Sequence, residues 1–178
     1  KIDVWCVGTK LITSFQTPAL GAVYKLMAAD CSNGELTPKI KISHNPMKVT
    51  NPGVKKIFRF YNNHGGMIGD LLAHHDEPTP FGRKITAHHP TYDYMKKVYK
   101  PPYRAEELMI PVFIKGEQVY ESPSLDECRN RAIAQTGRLE PEFKRFANPH
   151  IYKVSLSEKL YRIKKNLLKS HGKTLLSK

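Results

Sequence analysis

The chain has 178 residues, of which 29 are Lys or Arg and 16 are Asp or Glu, so its formal net charge at neutral pH is +13. Hydrophobic residues make up 40% of the sequence, which is enough for a packed core and argues against wholesale disorder. The longest apolar run, residues 108–114, contains a proline and is far shorter than the roughly 18 residues that a membrane-spanning helix needs. The composition therefore predicts one globular domain or two small ones, with no membrane partner.

The cysteines predict a reducing compartment. There are three, Cys6, Cys31 and Cys128, and no two of them form a C-x-x-C pair. An odd, scattered set argues against a disulfide framework and against a cysteine-rich zinc site. The first residues lack the basic head and apolar stretch of a secretion signal, so we expect a cytoplasmic protein.

The positive charge is concentrated near the end of the sequence. Residues 151–178 contain eight basic side chains and one acid. Such a bias favours polyanionic partners, either nucleic acid or a substrate that carries several phosphates. Because the bases fall away from a leucine stripe at helical spacing, a solvated outer helix face explains them better than a nucleic-acid surface. The residues expected on that face are Arg162, Lys164, Lys165 and Lys169.

Strand patterns dominate the first two thirds of the chain. Apolar and β-branched runs predict a buried strand at residues 2–7 and further strands at 10–15 and 22–27. Strict polar–apolar alternation predicts a half-buried strand at 39–43. Later strands are predicted at 55–61, 67–74 and 84–88, the first two joined by a glycine-rich hairpin turn at 62–66, and a second hairpin is predicted over 108–120.

Helix signals are confined to the last third. Ser124 and Glu127 have the spacing of a capping box, which predicts a helix to about Thr136 with Gly137 at its end. A short helix is predicted at 141–146. A second capping box, from Ser155 to Glu158, predicts a final helix that Gly172 closes.

The histidine and cysteine patterns give little support for metal or nucleophilic chemistry. Two pairs, His74 with His75 and His88 with His89, lie on neighbouring segments. Neighbouring residues of a strand point to opposite faces, so each pair supplies one inward ligand at most, and we predict no metal site. No cysteine stands in a recognisable relation to a histidine, and paired carboxylates are absent. The residues alone therefore give little support for nucleophilic or general acid–base catalysis by this chain.

One short motif has the features of a phosphate site. Val7, Gly8 and Thr9 end the first predicted strand, where backbone N–H groups, a hydroxyl and a missing Cβ together suit a phosphate. A strand followed by Gly-Thr is on its own an ordinary turn in most proteins. The motif gains weight from the segments around it.

Taken in order, these segments resemble the carboxyl-terminal half of nicotinate phosphoribosyltransferases, and the resemblance covers essentially the whole chain. The run from Val-Gly-Thr to Pro-Ala-Leu-Gly is the most specific part. The stretches that carry the likeness are residues 2–13, 18–26, 39–43, 48–53, 111–113, 123–125 and 148–157.

The resemblance implies an enzyme that joins nicotinate to phosphoribosyl pyrophosphate, with coupled ATP hydrolysis and Mg²⁺ accompanying the pyrophosphate substrate. It implies an α/β fold: the last strands of an irregular TIM-like barrel, antiparallel strands of a companion α/β domain, and a C-terminal helical tail. The expected divisions are 1–20 for the barrel strand and phosphate loop, 21–121 for the companion segment and 122–178 for the helices. A homodimer is also implied.

Carried over by position, the resemblance assigns Gly8 and Thr9 to the ribose 5′-phosphate, with Lys10 beside them. Cys6 stands where the family usually has glycine, so its side chain would narrow the loop. The family's catalytic groups would lie before residue 1. We therefore expect this chain to be the C-terminal part of a longer polypeptide, inactive without its N-terminal part. Two alternatives stay open, a basic nucleic-acid-binding module and a non-catalytic scaffold derived from the same family.

Overall fold

A computed structural model describes residues 3–8, 21, 23–30 and 34–176 of the chain. Within these residues the fold is mixed α/β, as expected. The strands are β1 (Ala28–Asp30), β2 (Leu36–Pro38), β3 (Lys55–Tyr61), β4 (Met67–His74), β5 (Ile85–His88), β6 (Lys96–Tyr99), β7 (Arg104–Glu107), β8 (Phe113–Ile114), β9 (Glu117–Gln118) and β10 (Val154–Leu156). The helices are α1 (Leu125–Gly137) and α2 (Glu158–Leu176), with 3-10 turns at Pro46–Lys48 and Pro141–Lys144.

The β3–β4 hairpin is the longest paired unit, and its turn chemistry explains why it forms. The side-chain oxygen of Asn62 accepts hydrogen bonds from the backbone N–H of His64 at 2.9 Å and of Gly66 at 2.8 Å. Gly65 has φ of 78°, a left-handed conformation that glycine adopts without strain. The predicted strands 55–61 and 67–74 and the turn between them are confirmed.

Six strands form the main sheet in the order β6-β5-β10-β4-β3-β7. All neighbours are antiparallel except β10 and β4, which run parallel. β10 therefore lies inside the sheet, although its three residues come from the C-terminal part of the chain. The predicted strand 84–88 is confirmed as β5, whereas β6, β7 and β10 had no sequence prediction.

The two faces of this sheet differ in character. One face carries the apolar core cluster, made by Phe58, Phe60, Leu71, Ala73, Ala87 and Tyr99. The alternate residues Arg59, Asp70 and His88 consequently point to the other face. That second face, called the polar face below, also carries the buried Leu156, which lies opposite His88. The Lys56–Glu107 ion pair lies on the face of the core cluster.

Gly69 lets an aromatic ring approach the centre of β4. Tyr99 stacks on Phe60 with ring centroids 4.1 Å apart, and its hydroxyl lies where a Cβ on Gly69 would stand. The backbone carbonyl of Lys153 is 3.0 Å from the same position. Gly69 also has φ of 147°, a value that other residues rarely adopt. A side chain at this position would therefore collide with both neighbours.

Both helices begin at a serine cap, but the second begins two residues later than predicted. The capping box of Ser124 and Glu127 is present at the start of α1, as predicted. At α2 the cap is Ser157, whose hydroxyl accepts a hydrogen bond from the Leu160 N–H at 3.1 Å. Ser155 lies in β10 instead, because the sheet pairs residues 154–156. The predicted box at Ser155 is therefore wrong.

The strand predicted at the start of the chain is not found among the described residues. Residues 3–8 have no regular secondary structure, and Val4 and Trp5 are 84% and 75% exposed. The prediction of a buried strand at 2–7 is wrong for residues 3–7, which belong to none of the sheets of the described residues. An apolar, β-rich run forms a strand only where another strand pairs with it. The predicted strand 10–15 lies outside the described residues.

The bounds of several other elements differ from the predicted ones. The strands predicted at 22–27 and 39–43 are replaced by the short pair β1 and β2, and the hairpin of 108–120 is reduced to β8 and β9. Helix α2 continues past Gly172 to Leu176, so the prediction that Gly172 closes it is wrong. Among the described residues, no helix is both long and apolar enough to cross a membrane. The division at residues 20 and 121 stays a prediction.

Replacing Gly69 with alanine should lower the free energy of unfolding by about 1–3 kcal/mol, because the new methyl group overpacks the contact with Tyr99. Chemical denaturation measures this change. Gly137→Ala is the matched control, since nothing lies within 4 Å of its Cβ position, and it should be close to neutral. Combining Gly69→Ala with Tyr99→Phe should recover part of the loss. Equal stability of the two alanine variants would contradict the proposed collision.

Candidate functional site

The predicted phosphate-binding residues fall at the edge of the described structure. Gly8 is exposed, and no described atom outside its chain neighbours lies within 4 Å of the position its Cβ would take. Thr9 and Lys10 lie outside the described residues. The described residues therefore leave open space on the Cβ side of Gly8. The assignment of Gly8, Thr9 and Lys10 stays a prediction.

A charged cluster lies on the polar face of the main sheet. Arg59 and Asp70 are direct cross-strand partners, and the guanidinium donates two hydrogen bonds to the carboxylate, at 2.9 and 2.8 Å. The Tyr152 hydroxyl donates to the same carboxylate at 2.8 Å. Asp70 is only 7% exposed, so its charge is balanced inside the protein by these donors.

The pKa directions agree with this arrangement. The hydrogen bonds to Asp70 raise the pKa of Arg59 above its ordinary value, so the guanidinium stays charged. Burial, together with the hydrogen bond to Asp70, raises the pKa of Tyr152, which remains a neutral phenol. The cluster is thus a fixed ion pair with a tyrosine donor, an arrangement suited to holding elements together.

Sequence reasoning did not single out this cluster, although a signal was present. The predicted hairpin of 55–61 and 67–74 with its turn at 62–66 places residue 59 roughly opposite residue 70. Opposite charges at facing positions of a hairpin attract each other. Tyr152 was not predictable in the same way, because it approaches from a segment more than 80 residues away.

A pocket of about 340 Å³ opens beside this cluster. Arg59 and Tyr152 form one part of its wall, and Gln135 of α1 lies 3.5 Å from the Arg59 guanidinium. Phe143 and His150, which contact each other edge to face, form another part. Because the Arg59 charge is already paired, the pocket offers little net charge to a ligand.

The start of α2 is tied to the sheet by a second cluster. His88 is 4% exposed, and its Nε2 lies 2.5 Å from a carboxylate oxygen of Glu158. Tyr161 stacks on the His88 ring with centroids 4.1 Å apart. Arg162 donates to the other Glu158 oxygen at 2.7 Å. These hydrogen bonds lower the pKa of Glu158 below its ordinary value of 4.5.

Of the four basic residues predicted on a solvated face of α2, Arg162 and Lys169 are exposed, Lys165 is half-buried and Lys164 is buried. Three basic residues of the helix are bonded to carboxylates. Lys159 is bonded to Asp76, Arg162 to Glu158 and Lys165 to Asp93. The lysine hydrogen bond, with a further one from His74, lowers the pKa of Asp76 to about 2. Each of these three cations is therefore partly neutralised by a carboxylate on the same surface.

Lys164 is buried, at 6% exposed, so its predicted place on a solvated face is wrong. The helical spacing that placed it outside could not reveal that the loops at 46–51 and 89–95 cover this side of α2.

The histidines and cysteines are the residues that the sequence offered as metal ligands or nucleophiles. Within the described ranges, no group of three or more His, Cys, Asp or Glu side chains could hold a metal ion. Cys6 and Cys128 are both exposed, although Cys6 had been predicted to lie in a buried strand. Cys31 lies outside the described residues.

A broad apolar surface extends over the C-terminal half of the molecule. Helix α1 buries none of its residues, and the β8–β9 hairpin is exposed on both strands. A 13-residue helix is marginally stable without tertiary packing. The exposed apolar side chains of this region are Met109, Ile110, Val112, Phe113, Ile114, Val119, Leu125 and Ile133. Exposed apolar side chains in such number are typical of a surface that another part of a protein covers.

The fold and these clusters can be placed beside known proteins. The family model of the nicotinate phosphoribosyltransferase C-terminal domain matches residues 54–164, more than half of the chain. Nicotinate phosphoribosyltransferase of Bacillus subtilis (strain 168) is 40% identical over 160 residues, which is 89% of this chain and 32% of that protein. The Homo sapiens protein of the same name is 34% identical over 161 residues, 90% of this chain and 29% of that protein.

Structural comparison agrees. The crystal structure of human nicotinic acid phosphoribosyltransferase is similar with a TM-score of 0.60 and 30% sequence identity, over 67% of this chain and 24% of that chain. The chain belongs to the nicotinate phosphoribosyltransferase family and corresponds to its C-terminal portion. It spans about a third of the length of the curated relatives that it matches. The predicted resemblance is confirmed.

The Glu158 contacts predict a pH-dependent attachment of α2. A carboxyl whose folded pKa is lowered contributes stability that is complete above its ordinary pKa and is lost as the pH falls through the folded value. As the pH falls below about 5, the free energy of unfolding should therefore decrease more steeply for the unmodified chain than for Glu158→Gln, because the pKa of Glu158 is lowered in the folded state. Denaturant unfolding at each pH measures the two slopes.

Glu121→Gln, in the exposed loop before α1, is the control and should keep the slope of the unmodified chain. Hydrogen exchange of the α2 backbone amides locates the effect, which should be greatest in the first turns. Parallel slopes for the unmodified chain and Glu158→Gln would show that the contact with His88 contributes nothing.

Proposed function

We propose that the intact polypeptide carrying this sequence is a nicotinate phosphoribosyltransferase. The ring nitrogen of nicotinate would attack C1 of the ribose in phosphoribosyl pyrophosphate, the bond from C1 to the pyrophosphate oxygen would break, and nicotinate mononucleotide and pyrophosphate would leave. This product enters NAD synthesis. The observation that carries the proposal is the family match over residues 54–164, supported by relatives of the same name in bacteria and animals.

The contribution of this chain to that reaction is a phosphate-binding loop. Backbone N–H groups at Gly8 and the hydroxyl of Thr9 would donate hydrogen bonds to the ribose 5′-phosphate, with Lys10 supplying charge beside them. The phosphoribosyl pyrophosphate would bring Mg²⁺, and ATP hydrolysis would be coupled to the transfer. The groups that stabilise the ribosyl centre and the leaving pyrophosphate would belong to the rest of the polypeptide.

The apolar surface of α1 and the β8–β9 hairpin supports a large protein partner. An exposed helix with no buried residue gains stability when its apolar side chains are covered. Since the curated relatives are about three times as long as this chain, their N-terminal part is the partner that we propose, in a cytoplasmic homodimer. On this proposal the chain alone is inactive.

The charge pattern favours this enzyme over a nucleic-acid-binding module. A nucleic-acid surface presents free cations to the phosphate backbone, whereas three cations of α2 are bonded to carboxylates and a fourth is buried. The +13 charge would instead raise the local concentration of phosphoribosyl pyrophosphate and ATP.

The proposed function is tested by nicotinate mononucleotide formation from nicotinate and phosphoribosyl pyrophosphate, with and without ATP. The intact natural polypeptide should form product faster with ATP, and residues 1–178 alone should form none. Product from residues 1–178 alone would show that the catalytic groups lie in this chain. No product from either would favour a non-catalytic scaffold derived from the family.

The phosphate loop is tested in the intact polypeptide by Thr9→Val, which keeps the shape of the side chain but removes its hydroxyl. Loss of a hydrogen bond to a charged phosphate should raise the KM for phosphoribosyl pyrophosphate by about tenfold or more, while the KM for nicotinate changes little. Thr37→Val, on the exposed strand β2, is the control and should leave both constants unchanged. Unchanged kinetics of Thr9→Val would remove Thr9 from the site.

A further inference from the structure

A groove of about 400 Å³ lies on the side of the sheet where α2 meets two loops. Its walls come from the loop at 46–51, the loop at 89–95 and the segment 151–155 that leads into β10. Most of its lining is apolar or aromatic, including Met47, Met95 and Ile151. Lys164 of α2 lines this groove and also a smaller neighbouring pocket of about 120 Å³.

Lys164 is a buried cation held by neutral oxygens. Its ammonium donates to the side-chain oxygen of Asn51 at 2.8 Å and to the backbone carbonyl of Pro90 at 2.7 Å. Asp93 is near enough to act on its charge, but the Asp93 carboxylate is bonded to Lys165. No carboxylate of the described residues forms a salt bridge with Lys164.

The Lys164 ammonium in this arrangement has no paired anion and one N–H donor without an assigned acceptor. An ammonium has three N–H donors, of which two are accounted for. A buried cation without a paired anion is unfavourable, and burial accordingly lowers the pKa of Lys164. A bound anion would supply the missing acceptor and the missing charge together. A single remaining donor suits a singly charged anion such as a carboxylate better than a phosphate dianion.

The wall beside Lys164 adds an aromatic surface and a second donor. His89 and Tyr92 both line the groove and stack with ring centroids 5.0 Å apart. Nδ1 of His89 accepts hydrogen bonds from the backbone N–H groups of Thr91 and Tyr92, each at 3.1 Å. Its ring proton is therefore on Nε2, which is left as a donor. Flat apolar molecules gain contact area and stacking on such a wall.

We propose that this groove binds a small monocarboxylate with a flat apolar or aromatic body, the carboxylate against the Lys164 ammonium and the body against His89 and Tyr92. The occupant is a small molecule, because a groove of this size is typical of a ligand site. The site is distinct from the predicted phosphate loop at Gly8 and does not depend on the catalytic proposal.

Binding of phenylacetate and of its neutral amide, phenylacetamide, to the intact natural polypeptide tests the proposal. Isothermal titration should give an affinity for phenylacetate about tenfold or more above that for phenylacetamide, the difference expected for a charge-assisted hydrogen bond. The NMR signals of the His89 ring should shift with the acid. Equal affinities for acid and amide would overturn the role of Lys164, and no binding below about 10 mM would overturn the site.

Two substitutions locate the ligand. Lys164→Met keeps the length of the side chain without its charge and should abolish the preference for the acid. Tyr92→Ala should weaken both ligands about threefold or more by removing the aromatic wall. Tyr94→Ala is its control, since Tyr94 is 82% exposed and does not line the groove.

If Lys164→Met fails to fold, the comparison of Tyr92→Ala with Tyr94→Ala decides alone, because neither tyrosine is in the core. Phenylacetate binding that neither Lys164→Met nor Tyr92→Ala weakens would place the ligand elsewhere and overturn the proposal. If the intact polypeptide forms no nicotinate mononucleotide but binds phenylacetate in the groove, only the proposed function is overturned.

Discussion

The fold depends on the insertion of β10 between β4 and β5. Three residues, 154–156, pair in parallel with β4, and Leu156 also pairs with His88 of β5 in antiparallel, so that one short strand joins two groups of strands into a single sheet. The backbone hydrogen bonds to β4 continue beyond both ends of β10. The Asp70 N–H donates to the Lys153 carbonyl and the Ser157 N–H donates to the Leu72 carbonyl, each at 2.8 Å. Without β10, two strand edges would be left unpaired in the middle of the molecule. Because Ser157 follows directly and caps α2, the same pairing also fixes where the helix begins.

What sequence predicted well was local. The strands β3 and β4 follow from β-rich runs on either side of a glycine turn, and α1 follows from a capping box with both of its hydrogen bonds within four residues. In each case the residues that determine the element lie inside it or next to it. The family was also predictable, because short motifs in a fixed order carry information that no single strand or helix does.

What sequence predicted poorly was determined at long range. A three-residue strand such as β10 has no period of its own, and only its neighbours in space define it. Ser155, with Glu158 three residues on, is locally the better cap, yet the sheet pairs residues 154–156 and the helix is capped by Ser157. Lys164 has the helical spacing of a surface residue, yet Asn51 and Pro90, both more than 70 residues away, enclose it. Residues 3–8 have a strand-like sequence, yet they are exposed and belong to none of the sheets of the described residues, because composition alone does not determine which segments pair.

The distribution of charge links the sheet to the function. A net charge of +13 suggests a surface that attracts polyanions. Several of the cations, however, are either buried or bonded to carboxylates of the protein itself. Arg59 balances Asp70 on the polar face of the sheet, and Tyr152, which donates to that carboxylate, also lines the groove of Lys164. Arg59 thus has its anion within the protein, whereas the buried Lys164 has only neutral oxygens as hydrogen-bond partners. This difference is the physical reason to look for a ligand at Lys164 and not at Arg59, since an ion pair that is already complete gains little from a further anion.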